Sequence, residues 1–139
     1  MKIYTSYFAK AGALKKLDIV PIGIALSPPK FFDGPTIGFL APKRYMLSDK
    51  LSSEQYTEMY TKDILGNFDI KLFRSVIQNF SNGKDVALLC YEKPGDFCHR
   101  RLFADFVKKK FNYDIEEYVF EAPKKEEKKP EIVQPTLFE

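Results

Sequence analysis

The stretch that most constrains the fold is the run 85–91, DVALLCY, in which nearly every side chain is apolar. Such a run is typical of a strand that is buried on both faces of a parallel sheet. Strand-like runs also occur at 2–8 (KIYTSYF), at 18–27 (DIVPIGIALS) and at 115–120 (IEEYVF). The run 18–27 is apolar enough for a central position in the sheet. Because helical patterns alternate with these runs, the sequence predicts an α/β domain whose sheet is mainly parallel and flanked by helices.

Three segments carry helix signals, and one long segment carries loop signals. The stretch 52–65 begins with a capping box, Ser52 to Gln55, and the stretch 69–80 has Asp69 as its predicted N-cap. A third helix follows the apolar run. The apolar stripes of the last two helices are predicted to be Leu72, Phe73, Val76, Ile77 and Phe80, and Leu102, Phe103, Phe106 and Val107. The segment 9–17 is too short for a helix prediction, and 28–47, rich in Pro and Gly, is predicted to be irregular.

Composition bounds the class of protein. Apolar residues make up 45% of the chain and charged residues 29%, which is ordinary for a globular protein. There is no apolar run long enough to span a membrane and no signal peptide pattern, and two cysteines are too few for a disulfide framework, so we expect a cytoplasmic protein. The composition shifts at Ala122. We therefore expect one domain over 1–122 and a disordered tail over 123–139, rich in Lys, Glu and Pro.

The turn 92–101, EKPGDFCHRR, contains the only histidine, His99, and follows the apolar strand. Ligands of open α/β sheets bind beyond the carboxyl ends of the strands. With Asp96 as the predicted N-cap, Cys98, His99 and Arg100 fall in the first helical turn, where free backbone N–H groups favour anions. The turn is therefore predicted to bind an anion and to lower the pKa of the Cys98 thiol.

This interpretation gives the candidate residues distinct roles. Glu92, Cys98 and His99 are the candidate catalytic residues, as acid/base groups and a nucleophile. The candidate ligands of the anion carry positive charge, and three of them come from the long loop: Arg100, Arg101, Lys30, Lys43 and Arg44.

Structural explanations stand beside these roles. Cys98 can be a small buried side chain, as Cys90 is expected to be, and His99 can simply bond a loop carbonyl. Arg101 is expected to be a solvated helix residue, and Glu92 can form a salt bridge with Arg100.

Metal binding and disulfide formation are both disfavoured by the sequence. Adjacent helical residues point about 100° apart, which separates Cys98 from His99, and a fourth ligand is not evident. No metal and no cofactor is therefore predicted. A Cys90–Cys98 disulfide is feasible in space but disfavoured in a reducing cytoplasm.

The segment VALLCYEKPGDFCHRRLFADFV resembles the signature of the bacterial domain-of-unknown-function family DUF488. Its members show a strand that ends in Cys-x-Glu, a short loop, and Cys-His-Arg at the start of a helix. Here those positions are Cys90, Glu92, Cys98, His99 and Arg100. The opening KIYTSYF is similar to the first strand of the family, whereas IALSPPKFF replaces an Asp-x-Arg segment of many members and marks a divergent branch. The family has no settled activity, so the resemblance implies the fold and the site rather than a reaction.

The end of the chain, QPTLFE, resembles the short motif with which bacterial DNA polymerases and repair proteins dock on the sliding clamp. Gln134, Leu137 and Phe138 match that motif, and Pro135 departs from it. An extended peptide of this kind can bury its two apolar side chains in a pocket of the partner. The alternative is that the apolar side chains of the tail pack back onto their own domain: Ile132, Val133, Leu137 and Phe138.

Two functions follow from the sequence. The first is an enzyme of hydrolase or transferase type that acts on a nucleotide, a nucleic acid or another phosphate-bearing substrate and is brought to replicating or repaired DNA by the tail. The second is a non-catalytic nucleotide- or phosphate-binding adaptor tethered to the clamp. The net charge of +3 is low for a protein that grips duplex DNA unaided.

Overall fold

A computed structural model describes residues 1–92 and 98–120 of the chain. Within these residues the sheet has four strands, β1 (Ile3–Tyr7), β2 (Val20–Gly23), β3 (Val86–Cys90) and β4 (Glu116–Glu117). They are arranged in the order β2-β3-β1-β4, and every pairing is parallel. The predicted α/β class with a parallel sheet is confirmed. The predicted tail, 123–139, lies outside the described residues.

The apolar run occupies the position in the sheet that its composition requires. All five residues of β3 are buried, and Val86 lies level with Ile3 of β1 on one side and with Val20 of β2 on the other. The prediction that the second strand is central is wrong, because β2 is the outermost strand on its side. An outer position suits Pro21, which has no N–H to donate to a further strand.

The helices within the described residues are α1 (Ala11–Lys16), α2 (Ser53–Asp63), α3 (Ile70–Ser81) and α4 (His99–Phe111). Both predicted caps are confirmed: Ser52 and Gln55 form the reciprocal capping box of α2, and the Asp69 carboxylate accepts two backbone N–H groups at the start of α3. Helix α1 was not predicted, since six residues give too short a pattern. None of the helices in 1–92 and 98–120 has the length and apolar character that a membrane span needs.

The helices cover the two faces of the sheet unequally. Residues Leu14 of α1 and Leu89 of β3 belong to the smaller apolar cluster. The larger cluster joins the alternate residues of β3 to α2, α3 and α4 through Tyr60, Phe73, Ile77, Phe103 and Val107. Leu72 is an exception to the predicted stripe of α3, because its side chain is exposed.

The long connection between β2 and α2 is irregular, as predicted, with short 3₁₀ turns at Gly38–Leu40 and Arg44–Leu47. It is nevertheless fixed to the domain. Ile37, Leu40 and Met46 are buried in the larger cluster, and the Tyr60 hydroxyl donates a hydrogen bond to the Leu40 carbonyl at 2.7 Å. This anchoring holds the loop beside the carboxyl ends of β2 and β3.

Candidate functional site

The candidate site lies where β2 and β3 end and α4 begins. Ile24 follows β2, Cys90 is the last residue of β3, and Cys98 is the N-cap of α4. The prediction that Cys98 belongs to the first helical turn is wrong, because its backbone is extended (φ −153°, ψ 146°) and the helix starts at His99. The predicted N-cap, Asp96, lies outside the described residues.

Two sulfur atoms and an imidazole converge at this point. The Sγ atoms of Cys90 and Cys98 and a ring nitrogen of His99 all lie within 4.8 Å of one another. In the structure the two sulfur atoms are joined as a disulfide, and His99 Nδ1 is 3.8 Å from Cys98 Sγ. The sequence argument that separated Cys98 from His99 assumed that both are helical. Because Cys98 is extended, that argument is wrong, and the two side chains point to the same place.

A backbone carbonyl determines the tautomer of His99. Nε2 lies 2.8 Å from the Ile24 carbonyl oxygen, which can only accept, so Nε2 carries the proton and donates it. Nδ1 then keeps its lone pair and directs it at Cys98. The pKa of His99 is lowered to about 4, mainly by burial and also by the nearby charge of Arg100, while the bond to Ile24 acts in the opposite direction. The ring is therefore neutral at physiological pH.

Arg100 is not an exposed anion ligand in this structure. Its side chain is 1% exposed, and its Nε and Nη2 bond the two carboxylate oxygens of Glu117 at 2.9 and 3.2 Å. Nη1 donates to Cys90 Sγ at 2.7 Å and to the Glu92 carbonyl at 2.6 Å. The Thr5 hydroxyl also bonds Glu117. The suggested salt bridge between the Glu92 side chain and Arg100 is thus wrong, because Glu117 is the carboxylate partner.

An open cavity of about 470 Å³ lies against the cluster. Among the described residues, its reactive wall consists of Cys90, Cys98, His99 and Glu92. The rest of the lining is mainly apolar: Ala25, Leu26, Ser27, Pro42, Met46, Leu47, Ser48, Tyr56 and Tyr91. The side chains of Leu26, Leu47 and Tyr91 are exposed. Exposed apolar groups beside a cavity are typical of a surface that a ligand covers.

The predicted cations other than Arg100 are not among the described residues that line the cavity. Lys30, Lys43, Arg44 and Arg101 are exposed, and none is among the described residues that line the cavity. Arg101 instead lies 4.0 Å from the Asp105 carboxylate along α4, as expected of a solvated helix residue. A role of these four residues in anion binding stays a prediction.

The sequence did not identify three groups of the site. Glu117 and the Ile24 carbonyl lie far along the chain from Arg100 and His99, so only a known sheet order would have joined them. Tyr56 was predicted as a helix residue without a role, although it lines the cavity. Burial, and after it the charge of Glu92, raises the pKa of the Tyr56 phenol, which therefore stays protonated. Its ring stacks on Tyr60, with a centroid separation of 6.1 Å.

The fold and this site define an α/β protein with a Cys–Cys–His cluster at the carboxyl edge of a parallel sheet. A family model described as DUF488-N3a, the active DUF488-N3 subclade, matches residues 34–111, which is more than half of the chain. The chain therefore belongs to the DUF488 family, and the resemblance is confirmed. No curated protein and no solved structure matches the chain. The matched span contains all five signature residues and ends before Glu117.

We expect the loss of Arg100 to destabilise the fold far more than the loss of its neighbour. Arg100→Met leaves Glu117 without its buried cation, and breaking a buried pair costs about 3 kcal/mol of the free energy of unfolding. Arg101→Met removes an exposed charge and should cost less than about 0.5 kcal/mol. Urea unfolding of both variants measures the difference. Equal losses would contradict the structural role of Arg100.

The low pKa of His99 predicts a loss of stability in mild acid. In the unfolded chain His99 titrates near 6.5, whereas in the fold its pKa is about 4. As the pH falls below about 6.5, the unfolded state binds the proton first, so the free energy of unfolding decreases by roughly 2 kcal/mol between pH 7 and pH 5. Urea unfolding of the oxidised protein in EDTA at both pH values measures this. His99→Gln should flatten the dependence, since the chain has no other histidine; an unchanged slope would refute the assignment.

Proposed function

We propose that this protein is an enzyme of hydrolase or transferase type that acts on a nucleotide or a related phosphate-bearing substrate. The observation that carries the proposal is the convergence of Cys90, Cys98 and His99 within 4.8 Å on the wall of an open cavity that Glu92 also lines. In this proposal the cluster supplies the nucleophile and Glu92 transfers the proton. The description of the matched family as an active subclade supports catalysis.

The size and lining of the cavity support a planar ligand. A volume of about 470 Å³ lies in the range of small-molecule sites. The rings of Tyr56 and Tyr91 and the apolar side chains of Leu26 and Leu47 offer contact surface for a nucleobase, while Ser27 and Ser48 offer hydroxyl groups. A base bound here would lie against the reactive cluster.

The loop that lines the cavity also supports the phosphate-bearing part of the substrate. Pro42 and Met46 line the cavity, and between them in the chain are the exposed cations Lys43 and Arg44. A phosphate that extends from the cavity over this loop would meet positive charge in solvent. The anion is therefore proposed to be held by the loop rather than by Arg100, whose guanidinium is used by Glu117.

The proposal is tested by separating binding from turnover. A panel of nucleosides and nucleotides is screened by thermal shift with the reduced protein, and each ligand that binds is incubated and followed by mass spectrometry. Glu92→Gln should keep the affinity and lower turnover by about 100-fold or more. Glu116→Gln is the matched control, since this exposed carboxylate is not among the described lining residues and should leave turnover unchanged. Binding without turnover in the native protein would reject the enzyme and favour the adaptor.

We propose further that the tail links this activity to DNA replication or repair by docking on the bacterial sliding clamp. The motif residues Gln134, Leu137 and Phe138 lie outside the described residues, so the support is the sequence alone: a match to the clamp motif at the end of a charged tether.

Pull-down with purified clamp tests the tail. Removal of 132–139 should abolish binding, and so should the double substitution of Leu137 and Phe138 by Ala. The double substitution of Ile132 and Val133 by Ala is the matched control, since it removes apolar surface from the same tail outside the motif and should leave binding intact. Retention of binding after the Leu137 and Phe138 change, or equal loss in both variants, would reject the motif.

A further inference from the structure

We propose that Cys90, Cys98 and His99 form a binding site for Zn²⁺ when the two cysteines are reduced, with the fourth coordination position open to the cavity. This inference rests on the proposed function, since it names the source of the nucleophile in the same site. Two thiolates and one imidazole are the ligands that Zn²⁺ prefers, and three protein ligands with one open position are typical of catalytic zinc sites. The three ligand atoms already lie within 4.8 Å of one another.

The backbone separates the two cysteines in a way that suits a metal between them. Their Cα atoms are 7.5 Å apart, whereas the residues of a disulfide are usually separated by about 4.4–6.8 Å. In a tetrahedral zinc site with Zn–S bonds of about 2.3 Å, the two sulfur atoms are roughly 3.8 Å apart. Reduction frees both sulfur atoms. Because the two Cα atoms are 7.5 Å apart, rotation of the two side chains can then make room for the ion between the sulfur atoms.

His99 has the environment of a metal ligand. Its Nε2–H group is bound to the Ile24 carbonyl at 2.8 Å, and its Nδ1 faces Cys98 Sγ at 3.8 Å. Metal-bound histidines nearly always donate their other ring N–H to a carbonyl or carboxylate, which fixes the ring and its tautomer. Here the Ile24 carbonyl is that partner.

The charges around the cluster match a divalent cation. Arg100 Nη1 lies 2.7 Å from Cys90 Sγ and favours a thiolate there, because an N–H group bonds an anionic sulfur more strongly than a neutral one. The charge of Arg100 is cancelled by Glu117, its partner at 2.9 Å. Two thiolates in this buried place therefore leave a charge of minus two, which one Zn²⁺ ion neutralises.

The open position gives the metal a role in the proposed reaction. A water bound there would face the cavity, and zinc lowers the pKa of its bound water to about 7. Glu92, which lines the same cavity, would accept the proton that this water loses when it is activated as the nucleophile. In the disulfide form the two sulfur atoms are bonded to each other and are not available as thiolates, so the disulfide form is the metal-free form of the site.

Cobalt substitution tests the site directly. The full chain is reduced with a phosphine and titrated with Co²⁺, which reports thiolate ligation through sulfur-to-cobalt charge transfer and tetrahedral geometry through its visible bands. We expect one ion per chain, displaced by Zn²⁺, and protection of both cysteines from iodoacetamide by Zn²⁺. Cys90→Ser, Cys98→Ser and His99→Gln should each weaken binding by about 100-fold or more, since even outer-shell partners account for 10- to 100-fold.

The control separates the metal site from the enzyme proposal. Glu92→Gln should retain the full cobalt spectrum, because its carboxylate is not one of the three ligands, although turnover is expected to fall. If the native protein binds the metal but shows no turnover, the metal site is supported and the enzyme proposal is rejected. If turnover persists in EDTA, the enzyme proposal is supported and zinc is rejected as the source of the nucleophile. Absence of charge transfer in the reduced native protein would overturn the metal site, and so would an equal affinity for Co²⁺ in Cys98→Ser. If a serine variant fails to fold, iodoacetamide labelling of the native protein decides the matter: cysteines that Zn²⁺ does not protect would overturn the site.

Discussion

The buried guanidinium of Arg100 is the interaction on which the rest of the site depends. An ion buried to this degree costs several kcal/mol unless its hydrogen bonds are satisfied. Here one side chain of α4 is bonded to Glu117 on β4, to Cys90 at the end of β3 and to the Glu92 carbonyl just beyond it. These bonds fix where α4 starts relative to the sheet. Because His99 precedes Arg100, they also fix the imidazole against the end of β2.

The position of α4 explains why one short sequence signature specifies a site. Cys90 and Glu92 belong to the strand end, and Cys98 and His99 to the helix start, so the side chains are brought together by the strand-to-helix turn that the signature encodes. The Ile24 carbonyl then completes the arrangement from β2, the strand next to β3. A change that shifts α4 along the sheet would therefore affect the tautomer of His99 and the distance to Cys98 together.

The features that the sequence predicted correctly are those set by local chemistry. The apolar run 85–91 identified β3, and the side-chain caps Ser52 and Asp69 identified two helix starts, since each depends on residues within a few positions. The predictions that were wrong concern contacts between residues far apart in the chain, or depend on the residue at which α4 begins. The outer position of β2 and the partner of Arg100 are decided by the strand order. The placement of Cys98 depended on which residue of the turn caps α4. The N-cap is Cys98, two residues after the predicted Asp96, so Cys98 and His99 are not both helical and their side chains converge.

The distribution of charge limits what can enter the cavity and how. In the disulfide form, Glu92 is the only acidic side chain among the described lining residues, burial keeps His99 neutral, and Arg100 is paired with Glu117. A negative group in the cavity would therefore meet a carboxylate and apolar walls, and desolvating it there would be costly. A neutral ring avoids both costs. The proposed nucleotide would avoid both costs, with its base in the cavity and its phosphate in solvent over the exposed Lys43 and Arg44.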